Sequence, residues 1–173
     1  MSKNKPVVVI GLMGSGKTTV STLLARALDL PLSDSDPWLR DHHRATAAEL
    51  AAGQDPSVLH AREAAHVLEA LRRPQVIAAA ASVVEDPGVR QALHDSGAFV
   101  AWLDAPDAVL RERMKSGTHR PGFDPAVMRA RRQPYFERVA DVKVDVGSKT
   151  PEQAAEQILQ ALVSDSPKPG ITE

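Results

Sequence analysis

Residues 11–18 have the composition of a phosphate-binding loop. They read Gly-Leu-Met-Gly-Ser-Gly-Lys-Thr and fit the pattern G-x-x-x-x-G-K-S/T without a mismatch. The glycines let the backbone curl so that several amide N–H groups point at one anion. Lys17 supplies a positive charge for the β- and γ-phosphates of a nucleotide, and the hydroxyl of Thr18 suits Mg²⁺. The pattern therefore predicts nucleotide binding by a set of loop residues: Gly11, Met13, Gly14, Ser15, Gly16, Lys17, Thr18 and Thr19.

Two carboxylates, Asp34 and Asp36, follow a short apolar segment. In an extended chain, residues two apart point to the same side, so we expect these side chains to share one side beside the phosphate loop. Carboxylates in that place suit a Mg²⁺ site and the activation of a hydroxyl group. The alternative interpretation is a simple Asp-Ser-Asp-Pro turn without a chemical role.

A basic segment spans residues 111–138. It holds eight Lys or Arg residues against three Asp or Glu residues, a local charge of +5 in a chain whose formal net charge is −1. Phosphoryl transfer needs positive charge around the equatorial oxygens of the moving group, so the segment fits that chemistry. A solvated basic surface and a nucleic-acid patch are the alternatives.

The predicted elements alternate between strands and helices. Apolar runs predict five strands, at residues 7–10, 30–33, 75–81, 98–103 and 140–146. Helical periodicity and capping residues predict helices after Lys17, at 45–52, 57–71 and 107–115, and from Pro87 and Thr150 onward. This order favours the α/β class and a three-layer α/β/α fold with a parallel sheet. Ligands of such sheets bind beyond the carboxyl ends of the strands, so the candidate residues should meet at one edge.

Composition limits the class of protein. With 173 residues, 43% of them hydrophobic and 25% charged, the chain suits one soluble domain, which we place at residues 1–163 with a flexible tail at 164–173. The near-neutral charge gives no general attraction to nucleic acid or anionic membranes, and the first ten residues form no signal or membrane span. The absence of cysteine excludes disulfides and thiolate metal sites. We expect a cytoplasmic monomer without a nucleic-acid or membrane partner.

Four sequence blocks together resemble the shikimate kinase family. They are residues 11–20, Asp34-Ser35-Asp36, Arg120-Pro121, and Arg132-Gln133-Pro134 followed by Phe136 and Val139-Ala140-Asp141. The resemblance runs from about Val7 to Leu162. It implies the P-loop fold of nucleoside monophosphate kinases, with a five-stranded parallel sheet in the order 2-3-1-4-5. It also implies a kinase that uses ATP and Mg²⁺ to phosphorylate a hydroxyl of a small, acidic metabolite.

The resemblance also implies roles for single residues. At the nucleotide, residues 114–123 become a lid from which Arg120 reaches the transferring phosphate. Arg113 packs on adenine, with the loop that contains Pro151 on its other side. Asp34 holds Mg²⁺ through water, next to Thr18. At the acceptor, Asp36 meets the hydroxyl and Arg132 meets the acid group. The catalytic set that follows is Lys17, Asp36, Arg120 and Arg132.

Two departures from the family lie at the acceptor site. The family has Gly-Glu-x-x-Phe-Arg before its second helix, and that arginine grips the shikimate carboxylate. Here residues 53–58 end in Val58. Arg62 follows one helical turn later, and it either replaces that arginine for a displaced or larger ligand or is a surface residue. The family's three glycines after the third strand are replaced within residues 78–82, Ala-Ala-Ala-Ala-Ser, so methyl groups stand where a ring would touch. We expect ATP chemistry to be retained and shikimate to be a poor substrate.

Other functions stay open at this point. A gluconate kinase-like enzyme would phosphorylate a polyhydroxy acid with the same loop. A degenerate nucleotide-binding module would have lost its acceptor site, but it would have no need of Asp36 and Arg132. A nucleic-acid-binding protein would use the basic segment, residues 111–138.

Overall fold

A five-stranded sheet forms the centre of the protein. The computed structural model describes residues 4–53, 55–115 and 124–165. The strands within them are β1 (Val7–Ile10), β2 (Leu32–Asp34), β3 (Val76–Ala78), β4 (Phe99–Asp104) and β5 (Val142–Asp145). Each neighbouring pair is parallel, and the order is β2-β3-β1-β4-β5. The predicted α/β class and the predicted sheet order are confirmed.

Helices flank this sheet. They are α1 (Lys17–Leu28), α2 (Ser35–His43), α3 (Ala47–Gly53), α4 (Pro56–Ala70), α5 (Pro87–Asp95), α6 (Asp107–Met114), α7 (Pro125–Val139) and α8 (Pro151–Val163), with a short 3-10 helix at Ala81–Glu85. Helix α1 packs against α8, while α4 packs against α2, α3 and the 3-10 helix. In the described part of the chain, no helix has the length and apolar character needed to cross a membrane.

The central strands are buried because their side chains are apolar on both faces. Every residue of β1 is completely buried, and so are nearly all residues of β4. The main apolar cluster joins these strands to the inner faces of α1, α4 and α8. A second, smaller cluster holds α2, α3 and α4 together through four buried residues: Leu39, Ala47, Leu50 and Leu59.

The carboxyl ends of three neighbouring strands lie side by side. Val9 of β1 pairs in register with Ala78 of β3, and Asp34 of β2 pairs with the same alanine. The phosphate loop after β1, the carboxylate that ends β2 and the alanines after β3 therefore meet at one edge of the sheet, where such folds bind their ligands.

The extended interpretation of residues 34–36 is wrong. Strand β2 ends at Asp34, and α2 begins at Ser35, so Asp36 lies in the first turn of a helix. Pro37 is compatible with that turn because a first-turn residue needs no intrahelical N–H bond. Leu39, completely buried in the second cluster, gives α2 its apolar contact with the rest of the chain.

Other element boundaries also differ from the prediction. Strand β2 begins at Leu32, two residues later than predicted. Strand β3 ends at Ala78, because the chain enters the 3-10 helix from Ala81. Helix α7 was not predicted, since Pro134 and four arginines obscure its periodic pattern.

Candidate active site

The phosphate loop connects β1 to α1, and two of its glycines occupy positions that other residues fit badly. A Cβ atom on Gly11 would lie 2.6 Å from the carbonyl oxygen of Leu103. Gly16 has a φ of 91° at the start of α1, a left-handed conformation that favours glycine. The loop therefore packs closely against β4 and leads directly into the amide-rich end of α1, which attracts anions.

Lys17 turns back over the phosphate loop from the first turn of α1. Its Nζ donates to the carbonyl oxygens of Gly11 at 2.9 Å and Leu12 at 3.2 Å. Burial lowers the pKa of Lys17 to about 8, and the nearby carboxylate of Asp34 partly opposes that shift. A phosphate beside Nζ would favour the charged ammonium, so binding an anion relieves the penalty of burying this group.

Thr18 and Asp34 form an oxygen pair beside Lys17. The hydroxyl of Thr18 donates to Asp34 Oδ2 at 2.8 Å. Hydroxyl and carboxylate oxygens are suitable ligands for Mg²⁺. The hydroxyl of Ser15, inside the loop, is buried and has no hydrogen-bond partner among the described residues. The donors and oxygens of this region fit a nucleotide phosphate together with a divalent cation.

Arg113 of α6 is bonded to the phosphate loop. Its guanidinium donates to the carbonyl oxygens of Gly14 at 3.2 Å, Ser15 at 3.4 Å and Val146 at 3.1 Å. These bonds join the loop to α6 and to the end of β5. Arg113 therefore lies next to the loop, as its assigned role requires, and its stacking on adenine stays a prediction.

The remaining nucleotide-site residues of the prediction are Arg120, in the predicted lid, and Pro151. Arg120 and residues 116–123 of the predicted lid lie outside the described residues, as do residues 166–173 of the predicted tail. Pro151 is described, at the first position of α8 behind the capping hydroxyl of Thr150. The roles assigned to Arg120 and Pro151 stay predictions.

A cavity of about 720 Å³ opens beside the phosphate loop, within the size range of small-molecule sites. Its polar lining comes from α1, β2, α2, α4, the 3-10 helix and α7: Lys17, Thr18, Thr19, Asp34, Ser35, Asp36, His60, Glu63, Ser82, Arg131 and Arg132. The structure thus brings Lys17, Asp36 and Arg132, three of the four predicted catalytic residues, to one cavity.

Arg132 is buried on α7 and is paired with a carboxylate that the sequence did not indicate. Its Nε donates to Glu85 Oε2 at 3.2 Å. Nε of the neighbouring Arg131 donates to the other oxygen of the same carboxylate. Glu85 ends the 3-10 helix, so both arginines of the cavity are held by one acidic residue from a different element.

Two cavity residues on α4, His60 and Glu63, were not predicted from the sequence. Glu63 is almost fully buried and accepts a hydrogen bond from the hydroxyl of Ser82 at 3.1 Å. The available signal was its position four residues after buried Leu59, on the apolar face of α4, where a carboxylate is unusual. Arg62, considered as a replacement for the family's arginine, is not part of the cavity lining, whereas His60 is.

The comparisons with known proteins identify the family of this chain. The family model of shikimate kinase matches residues 13–163. A curated shikimate kinase from Symbiobacterium thermophilum is 33% identical over 166 residues, which cover 90% of this chain and 95% of the relative. The chain belongs to the shikimate kinase family. Another shikimate kinase, from Corynebacterium glutamicum, is 32% identical and covers 92% of this chain and 97% of its own length. Family membership makes the chain an ATP-dependent phosphotransferase that acts on a hydroxyl group.

Solved structures show the same fold. A shikimate kinase from Acinetobacter baumannii in complex with shikimate has a TM-score of 0.86 and 23% identity, covering 92% of this chain and 93% of that chain. A gluconokinase from Sinorhizobium meliloti has a TM-score of 0.61 and 22% identity, covering 95% of this chain and 94% of that chain. In the present chain, His60 and four consecutive alanines, Ala78–Ala81, line the cavity beside the phosphate loop.

Proposed function

We propose that this member of the shikimate kinase family transfers the γ-phosphoryl group of ATP to a hydroxyl of a small metabolite bound in the 720 Å³ cavity. One observation carries the proposal: Lys17, Asp36 and Arg132 line this cavity together, although they come from α1, α2 and α7. Lys17 serves the nucleotide, whereas the other two serve an acceptor. A module that only binds a nucleotide would not need that second set.

The nucleotide phosphates would lie in the loop before α1. The amides at the helix start bind them, and Lys17 compensates the charge of the β- and γ-phosphates. Arg120 adds positive charge at the transferring phosphate, and Arg113 packs on the adenine with the loop that contains Pro151 on the other side. Thr18 and Asp34 would hold Mg²⁺, which supplies further charge compensation when bound.

Asp36 acts on the acceptor hydroxyl. The acceptor oxygen forms a bond to the γ-phosphorus while the bond from that phosphorus to the bridging oxygen of ADP breaks. The hydroxyl proton leaves through the carboxylate of Asp36, so the products are a phosphate monoester, ADP and a proton. Arg132 orients the acceptor on the opposite wall. Phosphoryl transfer of this kind requires the protein to position the reactants, and it requires no covalent intermediate with the protein.

The acceptor-dependent release of ADP tests this function. A coupled assay with hydroxylated small molecules should show ADP release that needs both the acceptor and Mg²⁺, and phosphorus NMR should show a new phosphate monoester. Lys17→Ala is the negative control for the contribution of the phosphate loop. ATP binding without any acceptor-dependent turnover would contradict the proposal and favour the nucleotide-binding module. A cytoplasmic location and a monomeric state stay predictions from the sequence.

A further inference from the structure

The two arginines of the acceptor cavity are already paired inside the protein. Arg131 and Arg132 both donate through Nε to the carboxylate of Glu85. The side chains of Arg132 and Glu85 are only 7% and 18% exposed, so solvent and salt screen this pair weakly. The charge of Arg132 is therefore compensated before any ligand arrives, whereas Arg131 is 60% exposed and its pair with Glu85 is screened by solvent.

Two carboxylates other than Glu85 line the acceptor side of the cavity, whereas Glu85 itself is not part of the lining. Asp36 stands at the start of α2, and Glu63 lies buried on α4, bonded to Ser82. Asp36, Glu63 and Glu85 give three negative charges against the two positive charges of Arg131 and Arg132, while Lys17 and Asp34 of the lining cancel each other. The described residues therefore carry a formal net charge of −1 around the cavity, with neutral histidine. A carboxylate placed here would meet net repulsion, since like charges in a weakly screened site repel.

The remaining lining is apolar and suits the carbon skeleton of a ring. Ala78–Ala81 form a wall after β3, and Leu59, Met128 and small residues of α3 complete the lining. Carboxylates such as Asp36 and Glu63 accept hydrogen bonds from hydroxyl groups and pair with an amine. Polyols, with or without an amine, can use both features of this cavity.

We infer that the acceptor is a polyhydroxy ring compound without an acidic group, either uncharged or bearing an amine. This inference rests on the kinase function proposed above and replaces the acidic acceptor expected from the sequence. Glu85 is the residue that sets this selectivity, because it compensates the buried charge of Arg132, the arginine expected to hold an acid. The chemical step is unchanged: an acceptor hydroxyl takes the γ-phosphoryl group and ADP leaves.

Acceptors that differ only in charge test the inference. Shikimate and its methyl ester have the same ring, and glucuronate, glucose and glucosamine form a second series on one pyranose ring. We expect kcat/KM for the methyl ester to exceed that for shikimate by about tenfold, the effect of losing one charge–charge conflict. We also expect kcat/KM for glucose or glucosamine to exceed that for glucuronate. Higher kcat/KM for the acids, or turnover of no uncharged or amino compound, would overturn the inference.

A charge variant separates the role of Glu85 from a merely structural one. Glu85→Gln should lower KM for shikimate by about tenfold, while KM for the methyl ester changes less than about twofold. The matched control is Glu137→Gln, which removes an exposed carboxylate of α7 that accepts a bond from Gln133. It should change neither KM. If Glu85→Gln loses activity equally toward shikimate and its methyl ester, or if the ratio of the two KM values stays unchanged, the role of Glu85 is contradicted.

Failure of this inference can be told from failure of the kinase function. ATP binding is measured first, by calorimetry with a non-hydrolysable analogue. Efficient phosphorylation of acids alone would overturn only the acceptor class. If the protein does not bind the ATP analogue, or if it phosphorylates none of the acceptors, the kinase function is overturned and this inference with it.

Discussion

The hydroxyl of Thr18 donates to Asp34 Oδ2 at 2.8 Å, and this bond joins the first turn of α1 to the end of β2. The two residues are sixteen positions apart in the chain. Their oxygens lie within reach of one small cation, directly beside Lys17. The relation between them leads to the first prediction.

Removing the hydroxyl of Thr18 should weaken Mg²⁺ dependence. Thr18→Val keeps the shape of the side chain but removes one oxygen ligand, so we expect the Mg²⁺ concentration for half-maximal activity to rise about tenfold, the equivalent of one lost charge-assisted contact. Thr18→Ser keeps the hydroxyl and serves as the matched control. Magnesium titrations of initial rate measure the difference, and identical curves for the valine and serine variants would contradict the assignment.

Lys17→Ala should weaken ATP binding and stop turnover. The phosphates lose the positive charge of the Lys17 ammonium group, whose Nζ donates to the carbonyl oxygens of Gly11 and Leu12. We expect at least about a hundredfold lower kcat/KM for ATP, because charge stabilisation contributes strongly to phosphoryl transfer. The control is Lys143→Ala, on the edge strand β5 and half exposed. Unchanged nucleotide affinity and rate in Lys17→Ala would remove the assignment of the phosphate loop.

Asp36→Asn should lower kcat sharply and leave ATP affinity nearly intact. In the proposed mechanism the carboxylate acts on the acceptor hydroxyl, and loss of such a general base typically lowers the rate by about 10²–10⁴-fold. Asp41→Asn, an exposed substitution on the same helix, is the control and should behave like the unaltered enzyme. A kcat within about a factor of two of the control would show that Asp36 has no catalytic part.

Burial of His66 should make the protein less stable in mild acid. This residue is completely buried on α4, and its Nε2 lies 2.8 Å from Ser33 Oγ. Burial lowers the pKa of His66 from 6.5 to about 4. The unfolded chain therefore takes up a proton that the folded chain resists. The contribution of His66 is complete above pH 6.5 and is lost as the pH falls toward 4, with a total of about 3 kcal/mol.

Urea unfolding at several pH values measures this effect. His66→Gln keeps a partner for Ser33 but does not titrate, so its free energy of unfolding should fall less between neutral pH and about pH 5. The control is His94→Gln, which removes a partly exposed histidine of α5 and leaves His66 in place. Parallel pH profiles for the two variants would show that His66 does not carry the proton linkage.

Local patterns were sufficient to predict the nucleotide half of this protein. Residues 11–18 follow β1 directly, so loop, lysine and helix start are positioned by neighbouring residues alone. The alternation of strands and helices was enough for the α/β class, because parallel strands require crossover connections. The sheet order came from the family resemblance, and the register of Asp34 with Ala78 agrees with it.

The acceptor half depended on contacts between residues far apart in the sequence. Arg132 and Glu85 are 47 positions apart, and Ser82 and Glu63 are 19 positions apart. No local sequence pattern therefore predicts either pair. The sequence by itself determined that the chain binds a nucleotide in a parallel α/β fold, since those features follow from short-range spacing. Only the tertiary structure decided which charges surround the cavity, because packing of α4, the 3-10 helix and α7 brings Glu63 and Arg132 into its lining and pairs Arg132 with Glu85.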